Sequence, residues 1–158
     1  MAEPLHPRPV DRGADVHGVT SAGSPVAVAT RTREWRFPST AMSVRTMRRE
    51  LRPFLASSEL TEQDVDDLVL AACEAATNGI EHARHPAEPF FDVQAEIDGH
   101  SVRIVVRDYG RWTPPNADPG NRGRGLHMMT MLAAVSLTSG PLGTSVTLRN
   151  LVGGHIGR

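Results

Sequence analysis

Apolar and polar positions follow two periods along the chain, and the switches between them mark out the elements. Trp35 and Phe37 alternate with Glu34, Arg36 and Pro38, which predicts a short strand ended by the proline. Ser39 or Thr40 is placed to cap a helix. Val44, Met47, Leu51 and Phe54 then recur at helical spacing, with arginines and Glu50 on the other face, and this helix is expected to end near Ser57. Thr61 and Asp64 form a capping-box-like pair in the order S/T-x-x-D/E. The helix they open runs through the apolar stretch Leu68 to Ala76 and on to about Ala83, where Pro86 prevents much continuation.

The period then changes from helix to strand. Phe91, Val93, Ala95 and Ile97 alternate with Asp92, Gln94, Glu96 and Asp98, and Asp98-Gly99 is a hairpin turn signal. Val102, Ile104 and Val106 form the return strand, which ends at Asp108-Tyr109-Gly110. A loop rich in proline and glycine follows. Leu126, Met129 and Ala133 mark a further helix. Val135 with Leu137, and Val146 with Leu148, read as two last strands around the turn from Gly140 to Gly143. Strands with one apolar face, joined in hairpins and interleaved with amphipathic helices, predict an α/β (α+β) fold, a two-layer α/β sandwich. A doubly wound parallel sheet fits less well, because the hairpin from Phe91 to Arg107 is antiparallel.

Composition narrows this picture. The chain has 158 residues, the size of one domain. Residues 1–25 are rich in Pro, Gly, Ser and Ala without periodicity and are expected to be a disordered tail; residues 26–152 form the domain and 153–158 a C-terminal tail. With 17 basic against 18 acidic residues, the formal net charge is -1, so there is no general electrostatic pull toward nucleic acid or anionic membrane. The one cysteine, Cys73, makes neither an internal disulfide nor a cysteine metal cage, and its place among alanines predicts a buried, inert thiol. No apolar run reaches bilayer-spanning length, and Met1 to Pro9 lacks the hydrophobic centre of a signal peptide, so a cytoplasmic protein is expected.

Four polar clusters carry possible chemistry. Glu74, Asn78 and His82 are spaced i, i+4, i+8 and share one face of the long helix, while Leu68, Ala72, Ala75 and Gly79 occupy another. A carboxylate one turn from a carboxamide suits a proton acceptor beside a hard cation such as Mg2+; the same stripe also describes a solvated helix face. Asp108 and Gly110 stand where a strand gives way to a loop, so a carboxylate can accept from an exocyclic amine while glycine allows close approach; Asp-x-Gly is equally a common turn. Gly123, Arg124, Gly125 and Leu126 form a glycine loop opening a helix, whose free N–H groups suit phosphate, although neither a P-loop nor the full G-x-G-x-x-G spacing is present. Gly143-Thr144 begins the last strand and places a hydroxyl where it reaches a ligand or merely completes a turn.

Each cluster is weak alone, but their order is informative. Helix with Glu-x3-Asn-x3-His, hairpin, Asp-x-Gly, loop, Gly-x-Gly-Leu, helix, strand, Gly-Thr, strand resembles the layout of the GHKL (histidine-kinase-like, Bergerat-fold) ATPases from roughly Trp35 to Leu151. EAATNGIEHA, from Glu74 to Ala83, resembles the N box; Asp108 to Gly110 resembles the first glycine box and Gly123 to Leu126 the second. Within that superfamily the chain is similar to the anti-sigma-factor serine protein kinases of the RsbW/SpoIIAB type. The N box carries a glutamate four residues before its asparagine, and the segment between the glycine boxes is too short for the lid of a sensor histidine kinase. DYGRWTPP followed by GRGLHMM resembles actinobacterial members.

The resemblance implies a mostly antiparallel, mixed sheet covered on one face by helices. It implies that ATP binds with Mg2+ held by Asn78, and that Glu74 orients or deprotonates an attacking serine hydroxyl. Asp108 binds the adenine amino group with Gly110 giving close approach, Gly123, Arg124, Gly125 and Leu126 wrap the phosphates, and Thr144 supports the adenine end. The implied partners are a sigma factor, a STAS-type anti-anti-sigma protein that is phosphorylated on serine, and a second copy in a homodimer. The helix face with Arg45, Arg48, Arg49 and Arg52 is the implied partner surface, and equally a solvated face. Arg111 and Trp112 stand where many members have a further glycine, which puts the lid geometry in doubt. Two other classes compete: a regulatory module that binds ATP and a partner without kinase activity, and a generic ATP hydrolase. Retention of both Glu74 and Asn78 favours the kinase. His82 and His85 lack a third ligand at zinc spacing.

Overall fold

A computed structural model of the chain describes residues 29–83, 86–110 and 122–151. The expected tails, residues 1–25 and 153–158, and the segment 111–121 between the two glycine motifs lie outside the described residues. In chain order the elements are β1 (Arg31–Pro38), α1 (Ala41–Ala56), α2 (Glu62–His82), β2 (Phe90–Asp98), β3 (Ser101–Asp108), α3 (Arg122–Leu132), β4 (Ala134–Gly140) and β5 (Gly143–Arg149). The strands form one sheet in the order β1-β2-β3-β5-β4. All four pairings are antiparallel, so the mixed sheet implied by resemblance is, among the described residues, wholly antiparallel.

Strand alternation decides which face is covered. In β2, Phe91, Val93, Ala95 and Ile97 are buried, and in β3 so are Val102, Ile104 and Val106. Val146 and Leu148 of β5 continue the same apolar face. Asp92, Gln94 and Glu96 point to the other face with Arg103, Val105 and Arg107 beside them, and no helix packs there among the described residues. The core lies between the apolar face and the helices, where Met47, Leu51 and Leu55 of α1 meet Val65, Leu68, Ala72 and Ala75 of α2. This is the two-layer arrangement that the periodicities predict.

The helix boundaries have local causes. Thr61 caps α2 through its Oγ1, which accepts the Asp64 N–H at 3.1 Å, and the same hydroxyl donates to Asp64 Oδ2 at 2.6 Å. Thr40 occupies the cap position of α1 without bonding a backbone amide; its hydroxyl instead pairs with the Ser43 hydroxyl at 3.0 Å. Alanines at 71, 72, 75 and 76 are all buried in α2, and their small side chains let the helix axis lie close to the sheet. Arg45, Arg48 and Arg49 on α1 are exposed, while Arg52 bonds Asp66 of α2 at 2.8 Å. Cys73 is half-buried rather than fully buried, and burial pushes its thiol pKa up, which keeps it a poor nucleophile.

The two sheet edges differ. β1 carries Arg31, Arg33 and Arg36 and ends on Pro38, whereas β4 (AVSLTSG) has no charged residue and is largely exposed. Leu51 is fully buried at the α1–α2 contact. Leu51→Ala is expected to lower unfolding stability by about 2–5 kcal/mol in urea titration, whereas truncation of the exposed Met42 stays within about 0.5 kcal/mol.

Candidate functional site

Three elements converge on one end of the sheet: the C-terminal half of α2, the strand ends of β3 and β5, and the first turn of α3. Glu74 and Asn78 stand one turn apart on α2, both half-buried. The first turn of α3 packs directly on them. A Cβ at Gly125 would overlap Glu74 Oε1 and lie 3.0 Å from Asn78 Nδ2. Gly125 therefore sits where a side chain would fill the space between two helices that must nearly touch. Sequence reading places the glycine pair in a loop ahead of the helix. In the structure α3 already begins at Arg122, so Gly123 and Gly125 belong to its first turn. Their backbone N–H groups fall among those with no intrahelical acceptor, which is where an anion is favoured.

The second half of the site lies one residue further along α2. At Gly79 a Cβ would lie 3.2 Å from both Cβ and Oδ2 of Asp108. Asp108 is the last residue of β3 and faces the helices in step with Val106. Its carboxylate accepts the Gly110 N–H at 3.0 Å and the backbone N–H of Thr144. Burial pushes the Asp108 pKa up, and these two bonds draw it back only in part. Asp108 and Thr144 are direct partners across the β3–β5 ladder. Thr144 is 5% exposed, and its Oγ1 has no hydrogen-bond partner among the described residues. A buried hydroxyl in that state calls for a polar partner.

Two glycines let these parts meet. Gly143 adopts φ +135, and a Cβ there would collide with the Asp108 carbonyl oxygen. At Gly110 a Cβ would overlap Ala83 Cβ at the end of α2. The site thus has two ends, spread along α2 from Glu74 to Gly79 over about 7.5 Å of its axis. One holds a carboxylate and a carboxamide under a helix N-terminus, the other a desolvated carboxylate and an unpartnered hydroxyl. The first suits a metal-bound phosphate, with the Asn78 carboxamide offering a hard oxygen ligand. The second suits a heterocycle with an exocyclic amine, since a carboxylate accepts and a threonine hydroxyl does either.

The predicted residues are therefore gathered in two groups, Glu74, Asn78 and Gly125 in one and Asp108, Gly110 and Thr144 in the other. Arg124 and Leu126 are not drawn in: both are exposed on α3, and Arg124 makes no ion pair among the described residues. His82 lies near Glu81 at 3.9 Å, while His85 falls outside the described residues. Gly79 is the contact that sequence reading understates, since its place in the stripe with Leu68, Ala72 and Ala75 points only to packing on the sheet. A glycine inside an alanine-rich helix costs about 1 kcal/mol relative to alanine, and that unexplained cost is the signal that marks it.

Comparison with known proteins follows the same lines. The family model of the histidine kinase-like ATPase domain matches residues 37–150. A crystal structure of the RsbU and RsbW domains of Rv1364c from Mycobacterium tuberculosis matches with a TM-score of 0.62 at 27% identity, over 76% of this chain and 32% of that chain. The histidine kinase domain of the blue-light activated histidine kinase EL346 from Erythrobacter litoralis matches with a TM-score of 0.50 at 19% identity, over 72% of this chain and 61% of that one, a likeness of fold. The chain spans about a third of the length of the first structure.

The raised pKa of Asp108 has a measurable consequence. The folded chain holds this proton more tightly than the unfolded chain does. Ionisation therefore costs stability progressively as pH rises from the unfolded through the folded pKa. The cost is complete above the folded pKa, and it vanishes at low pH, where both states are protonated. Asp108→Asn, which keeps an acceptor oxygen, is expected to raise the melting temperature of the nucleotide-free protein at pH 7. The gain shrinks as pH falls through the folded pKa. An equal gain at every pH would show that ionisation of Asp108 is not its source.

Proposed function

Because this chain belongs to the histidine kinase-like ATPase domain family, we propose that it is an ATP-dependent protein serine kinase acting as an anti-sigma factor. The observation that carries the reading is the seating of Gly125 against Glu74 and Asn78. It sets a carboxylate and a potential metal ligand directly under the helix end that favours phosphate. The likeness to a structure containing an RsbW domain, at 27% identity, supports the same assignment. No helix among the described residues is long and apolar enough to cross a membrane, and we place the protein in the cytoplasm.

The residues divide the work as follows. Asp108 accepts a hydrogen bond from the adenine amino group, with Thr144 Oγ1 bonding beside it. Gly110 and Gly79 let the end of α2 lie against the end of β3, which keeps Asp108 at the adenine end. The amides of the first α3 turn, from Gly123 to Leu126, face the phosphates, and Arg124 adds positive charge when phosphate is near. Asn78 holds Mg2+, which when bound neutralises charge developing on the transferring phosphoryl group. Glu74 accepts the proton of the incoming serine hydroxyl. The serine oxygen bonds to the γ-phosphorus, the bond to the bridging oxygen breaks, and ADP leaves. The serine belongs to a STAS-type anti-anti-sigma protein. Phosphate adds nearly two negative charges to that partner and weakens its interface, freeing the kinase for the sigma factor. We further propose that the protein works as a homodimer.

Thermal unfolding with Mg-ATP tests the nucleotide site. At about 100 times the dissociation constant the ligand adds about 2.7 kcal/mol, a shift of about 8–10 °C in a domain of this size. The shift is expected to shrink in Asn78→Ala; no shift at any nucleotide concentration in the wild type would remove the reading.

Gly125→Ala separates fold from chemistry. Alanine gains about 1 kcal/mol of helix propensity, but its Cβ displaces Glu74. The variant is expected to melt no lower than wild type and to lose serine phosphorylation by at least about a hundredfold, as expected when a positioned base is lost. Glu74→Gln is expected to match that loss with Mg-ATP binding retained. Full phosphotransfer by either variant would sink the role given to Glu74, whereas a wild type that binds Mg-ATP and phosphorylates no serine would leave a nucleotide-binding partner module.

A further inference from the structure

On the sheet face that the helices leave bare, directly behind Asp108, lies a connected cluster that the phosphotransfer reading does not use. Tyr109 is the middle residue of the Asp108-Tyr109-Gly110 motif. While Asp108 turns toward the helices, the Tyr109 hydroxyl donates on the opposite face to Asp92 Oδ2 of β2. Arg36 of edge strand β1 grips the same carboxylate with two parallel bonds, Nε to Oδ1 at 2.7 Å and Nη2 to Oδ2 at 3.0 Å. The Arg36 guanidinium also lies over the Phe90 ring at 3.8 Å, and Phe90 meets the Tyr109 ring edge-on at 5.3 Å. Arg107 covers the Tyr109 ring at 4.8 Å. The Tyr109 carbonyl accepts the Ala87 N–H at 3.0 Å. Tyr109 is thus held by its hydroxyl, its ring and its backbone just where β3 ends.

We propose that Tyr109, anchored by Asp92 and Arg36, is a positioning residue that holds the Asp108 carboxylate in place for adenine recognition. This rests on the assignment of Asp108 to the adenine amine. The link is geometric. Asp108 Oδ1 accepts the N–H of Gly110, so the turn that the carboxylate closes contains Tyr109 as its central residue. Rotation of Tyr109 about its backbone moves both ends of that turn. A half-buried carboxylate gains solvation by swinging outward, and pinning Tyr109 from the far face opposes the swing without blocking the ligand side. Arg36 draws the Asp92 pKa below the usual carboxylate range, which keeps Asp92 an ionised acceptor for the Tyr109 hydroxyl.

The test uses ATP and ITP, which differ at the purine C6 substituent, an amine in one and a carbonyl oxygen in the other. The full chain is titrated calorimetrically with each in Mg2+. Wild type is expected to prefer ATP. Tyr109→Phe keeps the ring packing and removes the hydroxyl. It is expected to weaken ATP about fivefold, the effect of one hydrogen bond, with ITP affinity unchanged. Asp92→Asn, which leaves Tyr109 intact, is expected to narrow the preference in the same way. In an Asp108→Asn background, Tyr109→Phe is expected to leave the ATP-to-ITP ratio where Asp108→Asn has already set it. Equal weakening of both nucleotides would make Tyr109 a merely structural residue and overturn the proposal, as would an unchanged ratio in both single variants. Wild type that binds ATP and ITP alike would overturn the adenine role of Asp108 and this proposal with it. Wild type that binds neither would overturn the nucleotide reading itself.

Discussion

The depth at which α2 lies on the sheet determines where everything else in the site can be. Four buried alanines set that depth, and Gly79 extends the close approach to the end of β3, where any larger residue would press on Asp108. Because α2 is rigid, lowering it at Gly79 also fixes the height of Glu74 and Asn78, which lie within the preceding turn and a half. α3 then meets them through a residue without a side chain. Each contact is a steric limit rather than an attraction. The binding positions are held by what cannot fit, and dense packing passes the constraint along the helix.

That arrangement leaves polar groups in poor surroundings. Asp108 carries its charge partly out of water, and Thr144 keeps a buried hydroxyl without a described partner. Both penalise the empty fold and both are relieved by a ligand that donates to one and bonds the other. A site that is strained before binding gains selectivity for groups able to relieve it. A base with a carbonyl in place of the amine would meet the carboxylate with like polarity. The same physics that lowers stability therefore sharpens recognition.

Much of this was legible in the chain because its signals are local. The capping box at Thr61, the alternation from Phe91 to Ile97 and the turn at Asp98-Gly99 each depend on residues a few positions apart, and each element formed where its period indicated. Glu74 and Asn78 were readable as a pair for the same reason. What needed the folded chain were the long-range registers. The family resemblance puts Thr144 at the adenine end with Asp108, but no local signal gives their pairing across the ladder, and nothing near Tyr109 points to Asp92 as its partner. Gly79 read as part of a packing stripe because its neighbour, Asp108, is far along the chain. The glycine pair of α3 read as a loop because glycine usually ends helices, whereas here packing against Glu74 outweighs its low propensity.

The sheet order has a consequence for how the chain comes together during synthesis. β1 leaves the ribosome first, yet its partner β2 follows only after the whole α1–α2 hairpin, with Arg36 and Asp92 separated by 56 positions. Closing so long a loop is entropically slow compared with the adjacent β2–β3 hairpin. For that interval the first strand waits with both edges open, a state prone to pairing with another nascent chain. Its three arginines and terminal proline protect it during the wait, since two such strands laid together would repel and lack a donor at one end. One of those protecting arginines, Arg36, finds Asp92 only when the sheet is complete, so the guard of the unfinished chain becomes a fastening of the finished one.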